Sequence, residues 1–259
     1  MSFKLSKSKI NTFITCPLKF KYQYIDEIES KPNEFAVLGT NVHSIAEDFI
    51  KLNKVGNYDE ILSILLEFES KFEDDYTDHC ENLAKFFYEM LVEQEYKCFI
   101  AEEYLFSEKH NFNGFADIVL EDKEGKLFVI DYKTGKASSA KKYKLELCYY
   151  KMLIEEQYPG RIVDKTGIYF TKEGVLSALE FKDLESDEDS KSINESDKNS
   201  ENEYDENKIC SMKDYQLAIN YIKTVRIEID AGEFPAKRQH LCNYCDYQEL
   251  CSKECGYLG

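Results

Sequence analysis

The apolar residues change their period near residue 98, and that change constrains the fold more than any other feature of the chain. Upstream, they recur at helical spacing. Residues 38–52 carry Ile45, Phe49 and Leu52 on one stripe, and residues 59–73 carry Ile61, Leu62, Leu65, Leu66, Phe68 and Phe72. Residues 6–15 form a further short helical segment, closed by Cys16-Pro17. Asp78 with Glu81 predicts a capping box for a helix reaching about residue 96. From residue 98 the period is two, which is the pleat of a strand. Residues 98–106, 112–120 and 127–133 read as strands, the last two joined by a turn over 121–125. A helix over 139–156 and a strand pair, 163–171 and 175–181, come next, then a helix over 211–231 and a cysteine-rich tail over 242–255. Helices, a meander, one helix and two more strands predict an α/β fold with a central mixed sheet flanked by helices. On this reading residues 1–259 are a single domain, with 38–97 as a helical elaboration inside it.

Charge narrows the function. The 259 residues carry a net charge of −17, which argues against a protein that coats nucleic acid nonspecifically. The acidity is uneven. Residues 185–208 hold ten acids against three lysines, a net of −7 that leaves −10 elsewhere. Only Ile193 and Tyr204 are apolar there, too little to offset the entropy of ordering, so the segment reads as a disordered insert. No apolar run is long enough to span a membrane, and the first eleven residues are polar with no secretory pattern. A cytoplasmic setting is expected. Thiols stay reduced there, and clustered cysteines serve metals rather than disulfides.

Chemistry concentrates in Gly114-Phe115-Ala116-Asp117 and Val129-Ile130-Asp131-Tyr132-Lys133-Thr134-Gly135. Side chains alternate along a strand, so Asp131 and Lys133 share a face, and a hairpin brings Asp117 beside them. Paired carboxylates at a sheet end repel unless a cation lies between them, and hard oxygen ligands suit magnesium or manganese. A lysine beside them can orient a water or stabilise charge on a phosphate. A histidine, His43, sits on an early helix in Gly39-Thr40-Asn41-Val42-His43. The bland alternative is a surface hairpin with one Asp–Lys pair.

GFAD, VIDYKTG and LGTNVHSIAED together resemble the motifs of the RecB-like branch of the PD-(D/E)XK nuclease superfamily. The resemblance implies a metal-dependent deoxyribonuclease in which Asp117, Asp131 and His43 hold magnesium or manganese and Lys133 is the catalytic lysine. The Tyr132 carbonyl often contributes in that family. Glu102 or Glu103 would match a further acidic position; adjacent residues face opposite ways, and Glu103 is the weak preference. On the next helix the family carries Gln-x-x-x-Tyr, whereas this chain has Glu146 and Tyr150. The carboxylate cannot donate amide hydrogen bonds and adds charge, so it either weakens DNA contact or binds a second cation. Tyr143, Leu147, Tyr150 and Ile154 also read simply as a core stripe.

Cys242, Cys245 and Cys251 have the spacing of thiolate ligands and need a fourth. Spacing alone favours Cys255 and zinc. The resemblance favours Cys16, in the Ser8-to-Phe20 stretch, together with the Glu233-Phe234-Pro235 run, and implies a 4Fe–4S cluster. Such a cluster would staple the two ends of the chain. His240 is a weaker ligand candidate. Cys80, Cys98, Cys148 and Cys210 read as buried fillers, and His79 and His110 as surface residues.

Cations that could meet a phosphate backbone are Lys19, Lys21, Lys136, Lys141, Lys142 and Lys144, with Lys237 and Arg238. Phe20, Tyr22 and Tyr24 interleave with the first two and could stack bases. Only three arginines are present, which disfavours bidentate readout of a duplex. The expected substrate is therefore DNA ends or single strands, cut exonucleolytically, with a helicase or integrase as a possible protein partner. The alternatives are a CRISPR-adaptation nuclease and a non-catalytic DNA-end-binding module that keeps the fold.

Overall fold

The computed structural model describes residues 3–30, 34–182 and 209–256, with the side chains of residues 34 and 35 left aside. The expected acidic insert, 185–208, lies outside them.

The chain begins with a short strand β1 (Leu5–Ser6) that runs into α1 (Lys7–Thr15). Ser6 caps this helix by accepting from the Lys9 amide. Pro17 opens α2 (Pro17–Phe20), where its missing N–H costs nothing, and a π-helical turn follows over Lys21–Ile25. Three helices come next: α3 (Glu34–Lys51), α4 (Tyr58–Glu69) and α5 (Thr77–Phe87). Asn57 and Glu60 close a reciprocal capping box on α4. The box expected from Asp78 and Glu81 does not form. Asp75 accepts the Thr77 amide at 2.9 Å, so the helix starts before Asp78, and it gives way to a π-helical turn over Tyr88–Glu93.

The meander is β2 (Lys97–Ser107), β3 (Phe112–Glu121) and β4 (Leu127–Lys133). The segment 139–156 is two pieces, a 3-10 turn over Ala140–Tyr143 and then α6 (Lys144–Gln157). Strands β5 (Val163–Phe170) and β6 (Val175–Lys182) precede β7 (Ile209–Ser211) and α7 (Met212–Ala231), which stops at Gly232 in the left-handed region. A 3-10 turn over His240–Tyr244 and α8 (Gln248–Cys255) complete the described chain.

The described strands form a 7-stranded mixed sheet in the order β1-β3-β4-β5-β6-β7, with β2 on β3. A strand has two edges. β2 pairs along the whole of one edge of β3, so β1 and β4 must share the other. β1 takes Phe112 and Asn113, and β4 takes Ile118 onwards. Residues 114–117 lie in the gap between them, and Asp117 is the last residue of that gap.

Helices cover both faces of the sheet. Ala116, Val119 and Val129 pack with Leu147, Met152, Leu153 and Ile222 on the α6–α7 side. Ile118, Leu120, Ile130 and Tyr132 pack with Ile45, Phe49, Leu83 and Phe87 on the α3–α5 side. Ala116 and Ile118 are two apart yet face opposite layers, so β3 changes its alternation at Asp117. Opposite it, Glu102 of β2 has φ +46°, a left-handed conformation unusual for a side chain of its size.

Three smaller expectations are corrected. Cys98 is exposed, because it opens the edge strand β2 beside a register shift. His79 is buried, with Nδ1 2.8 Å from Thr171 Oγ1. His110 is nearly buried and lies 3.5 Å from Glu156. Cys80, Cys148 and Cys210 are buried as expected, the last two with sulfurs 3.2 Å apart.

Candidate active site

The gap in β3 is filled by side chains. Where β4 peels away from β3, Asp117 Oδ2 accepts the Tyr132 amide at 2.7 Å and so replaces a missing ladder bond. α3 lies across the same place. Its His43 has Nε2 3.1 Å from the Tyr132 carbonyl and Nδ1 3.5 Å from both Glu102 Oε1 and Asp117 Oδ2. With both ring nitrogens protonated, Nε2–H donates to that carbonyl and Nδ1–H faces the two carboxylates; a cation bound there would take the place of the Nδ1 proton. His43, Glu102 and Asp117 present ligand atoms all within 4.8 Å of one another, the only such group of three among the described residues.

Glu102 therefore takes the place expected of Glu103. Ile100 pairs with Val119, Ala101 with Ile118 and Glu103 with Ala116, which sets Glu102 opposite Asp117. Glu103 faces the other layer, where Gln157 donates to it at 3.1 Å and Tyr158 also donates. Adjacency in sequence showed that only one of the two could serve; the strand register selects which.

Asp131 and Lys133 share a face of β4, and they pair directly. Asp131 Oδ1 also accepts from the Tyr150 hydroxyl at 2.8 Å and from Lys7 at 3.1 Å. Glu146 pairs with Lys133 at 2.9 Å and with Lys7. Asp131 is thus drawn into a lysine network beside the His43 group rather than into that group. Tyr150 belongs to the core and to the site at once, being 4% exposed with its hydroxyl on Asp131. The Tyr132 ring lies on the face of β4 opposite Asp131, in the α3–α5 core, where it meets the His43 ring edge-on with centroids 5.7 Å apart, while its carbonyl lies on His43 Nε2.

Lys7 has no place in the sequence expectation. It comes 124 residues before Asp131 and reaches the site because β1 hands the chain to α1 at the edge of the gap. One signal was there to read: a lysine in the first turn of a helix opposes the helix dipole and needs a compensating acid. Glu146, in the first turn of α6, is favourably placed with respect to its own dipole and supplies that acid.

The electrostatics follow from burial and crowding. Asp117 is pushed up to about 7 by burial and by the charge of Asp131, against the pull of His43. For His43, burial works downward, but Glu102, Asp117 and Asp131 outweigh it and raise the imidazole to about 9. For Asp131, burial works upward, but Lys7 and Lys133 hold it well below the usual carboxylate range. Burial and the charge of Asp131 raise Glu146. Lys133 is held above the usual lysine range, because Asp131 and Glu146 outweigh its burial. The His43 group therefore retains protons at neutral pH that a divalent cation would displace. Glu102 Oε1 is buried with no full hydrogen bond, as suits a ligand oxygen.

The second candidate centre joins the chain's two ends. Cys16, Cys242, Cys245 and Cys251 line one cavity of about 530 Å³, floored by Leu18, Tyr22 and Tyr247. Lys237 donates to the Ile14 carbonyl and Gln239 to that of Thr15, which fastens the tail beside Cys16. Cys255 touches Cys251 but lies outside the cavity lining. The Cys251 thiol is pushed up to about 11 by burial and then by its neighbours Cys255, Cys16 and Cys242.

The expected nucleic-acid contacts divide. Lys136, Lys141 and Lys142 are exposed near the start of α6. Lys19 lies 3.7 Å from Asp246, and Lys21 is 2.6 Å from Asp26. Tyr22 cannot stack a base, because it is 1% exposed and its hydroxyl donates to Glu254 at 2.5 Å. Phe20 is fully buried.

These features are those of a nuclease core, and comparison with known proteins agrees. The model of the PD-(D/E)XK nuclease superfamily matches residues 4–252, nearly the whole chain. The chain belongs to that superfamily. A crystal structure from Eubacterium rectale named "Putative exonuclease" is similar in fold, with a TM-score of 0.50 and 10% identity over 98% of this chain and 94% of the other. No curated protein sequence matches the chain. No described helix is long and apolar enough to cross a membrane.

Proposed function

We propose that the chain is a divalent-metal-dependent deoxyribonuclease of the RecB-like branch, acting on DNA ends or single strands. The observation that carries this reading is the convergence of His43, Glu102 and Asp117 beside the Asp131–Lys133 pair. A divalent cation held there, with Asp131 as the fourth protein group, would supply Lewis-acid charge to the scissile phosphate and a more acidic bound water. The chain's own residues do the rest. His43 is oriented by the Tyr132 carbonyl, and Asp117 by the Tyr132 amide, so the group is set before substrate arrives. Lys133 is held protonated beside Asp131, where its ammonium can orient the attacking water and offset charge on the phosphate. Tyr150 fixes the Asp131 carboxylate. The experiment is magnesium- or manganese-dependent cleavage of end-labelled single-stranded and duplex DNA. Asp131→Asn and Lys133→Met proteins that fold but do not cut support the reading. Variants that cut at the wild-type rate overturn it, and a wild-type protein that binds ends without cutting favours the assembly-module alternative.

We also propose that Cys16, Cys242, Cys245 and Cys251 hold a 4Fe–4S cluster. What supports this set is that Cys16 lines the same cavity as Cys242, Cys245 and Cys251, whereas Cys255 lies outside its lining. Anaerobic protein assayed for iron, acid-labile sulfide and zinc tests it.

A further inference from the structure

Aromatic residues in this fold are almost all covered. Among the described aromatic side chains, only Tyr104, Phe115 and Tyr244 are exposed, at 43%, 54% and 84%. Tyr244 lies at the cysteine cavity. Tyr104 and Phe115 lie elsewhere, and together. They are direct cross-strand partners on β2 and β3, with ring centroids 5.3 Å apart and planes at 65°.

Their position relative to the metal group follows from the register. Glu102 is opposite Asp117, Tyr104 is paired with Phe115, and Phe106 is paired with Asn113. These are successive rungs on one face, each step being two residues, or ~6.8 Å. The other face is spoken for. Glu103 accepts from Gln157 and Tyr158 at the end of α6, and a Cβ at Gly114 would come 3.0 Å from Leu153 Cδ1. Tyr104 and Phe115 therefore lie on the His43 side of the sheet, one rung past Glu102 and Asp117, where α3 to α5 leave them open. On the next rung Lys4 places its ammonium 4.9 Å from the centre of the Phe106 ring.

Carboxylates, then paired aromatic faces, then an aromatic with a cation make a track leading away from the catalytic gap. A duplex keeps its base faces stacked internally and cannot offer them to such a surface. An unpaired base can, and stacking tolerates any sequence because every base has a π-face. We propose that Tyr104 and Phe115 form a stacking platform for an unpaired nucleobase of a single-stranded substrate, adjacent to the scissile phosphate. This rests on the nuclease reading and assigns its substrate form. A purely structural cross-strand pair would stabilise the hairpin and leave binding unchanged.

Binding is measured in EDTA, so that no cleavage occurs, with a fluorescent oligothymidylate of about 15 nucleotides and an abasic strand of the same length. Tyr104→Ala/Phe115→Ala should weaken oligothymidylate binding by about 10-fold or more and leave abasic binding unchanged. In magnesium, KM should rise while kcat holds. The chain has no tryptophan, so Phe115→Trp introduces a unique fluorophore on the platform. It should retain affinity and be quenched by oligothymidylate but not by the abasic strand. Equal oligothymidylate affinity in wild type and double variant overturns the platform, and so does an equal loss on both strands. A wild type that cuts DNA while the double variant binds and cuts identically removes the platform and leaves the nuclease reading standing. A wild type that neither binds nor cuts removes both.

Discussion

Lys7 and Glu146 give the sharpest test of how the site is held together. Glu146 has a side chain 9% exposed and Lys7 one 21% exposed, and they pair directly. The remaining cation near Glu146 is Lys133, which Asp131 also claims. Lys7→Met would leave two buried carboxylates sharing one lysine. Removing one member of a fully buried pair costs ~3–5 kcal/mol. The partial exposure of Lys7 and the help of Lys133 reduce this to about 2 kcal/mol. For a chain of this size that is a fall of roughly 4–8 °C in Tm. The penalty comes from a stranded charge, so removing that charge should recover most of it. Glu146→Gln in the Lys7→Met background should restore at least about half of the loss, a coupling of ~1 kcal/mol. The assay is urea and thermal unfolding of the four proteins in EDTA, followed by circular dichroism. If Lys7→Met costs the same with Glu146 or with Gln at that position, the two side chains are not coupled and the reasoning fails. Lys7→Arg, which keeps the charge, should lie near wild type.

Protonation sets the next expectation. Folding raises Asp117 from 3.8 to about 7 and His43 from 6.5 to about 9, so both bind protons more tightly in the native state. Their contribution is present at low pH and is lost as pH rises through those values, so metal-free protein should lose stability from about 4 to 9 on their account. Manganese competes with the same protons and should raise Tm more above pH 7 than below it. An equal rise on both sides would sink the assignment of these ligands. Cys16→Ser should abolish iron retention, whereas Cys255→Ser should keep it; iron analysis of anaerobic protein decides, and the reverse pattern restores the local cysteine set. Gly167 lies where β5 and β6 come close, and an added Cβ would stand 3.0 Å from the Ser177 carbonyl oxygen. Gly167→Ala should cost about 1–3 kcal/mol in urea unfolding, because backbone cannot move aside as a side-chain tip can.

The local elements were legible because their signals are local. The strand over residues 127–133 shows its alternation, and the structure places β4 at Leu127–Lys133. Asp117, Asp131 and Lys133 stood out as candidates because carboxylates and lysine in that pattern suggest their chemistry, and His43 because its motif resembles that of the family. What escaped depends on the partner. Glu102 over Glu103 is decided by pairing with β3, and by a left-handed residue that no propensity predicts. Lys7 acts across 139 residues on Glu146, so neither neighbourhood announces the other. Phe20 and Tyr22 read as an aromatic-basic stretch suited to bases, yet tertiary packing turns them inward. Conversely, Tyr104 and Phe115 read as ordinary strand residues, and only the edge of the helical layer leaves them open.

The clasp between the two ends also sets an order of assembly. Lys7 stands on the helix that ends at Thr15, and that helix end is fastened by Lys237 and Gln239. A ribosome that has delivered Lys133 has made every metal-group residue, but still owes the hundred or so residues that pin α1 in place. Until they emerge, Asp131 and Glu146 face each other without a secured Lys7 between them. Synthesis thus lays down the buried carboxylates well before the residues that fasten the lysine balancing them.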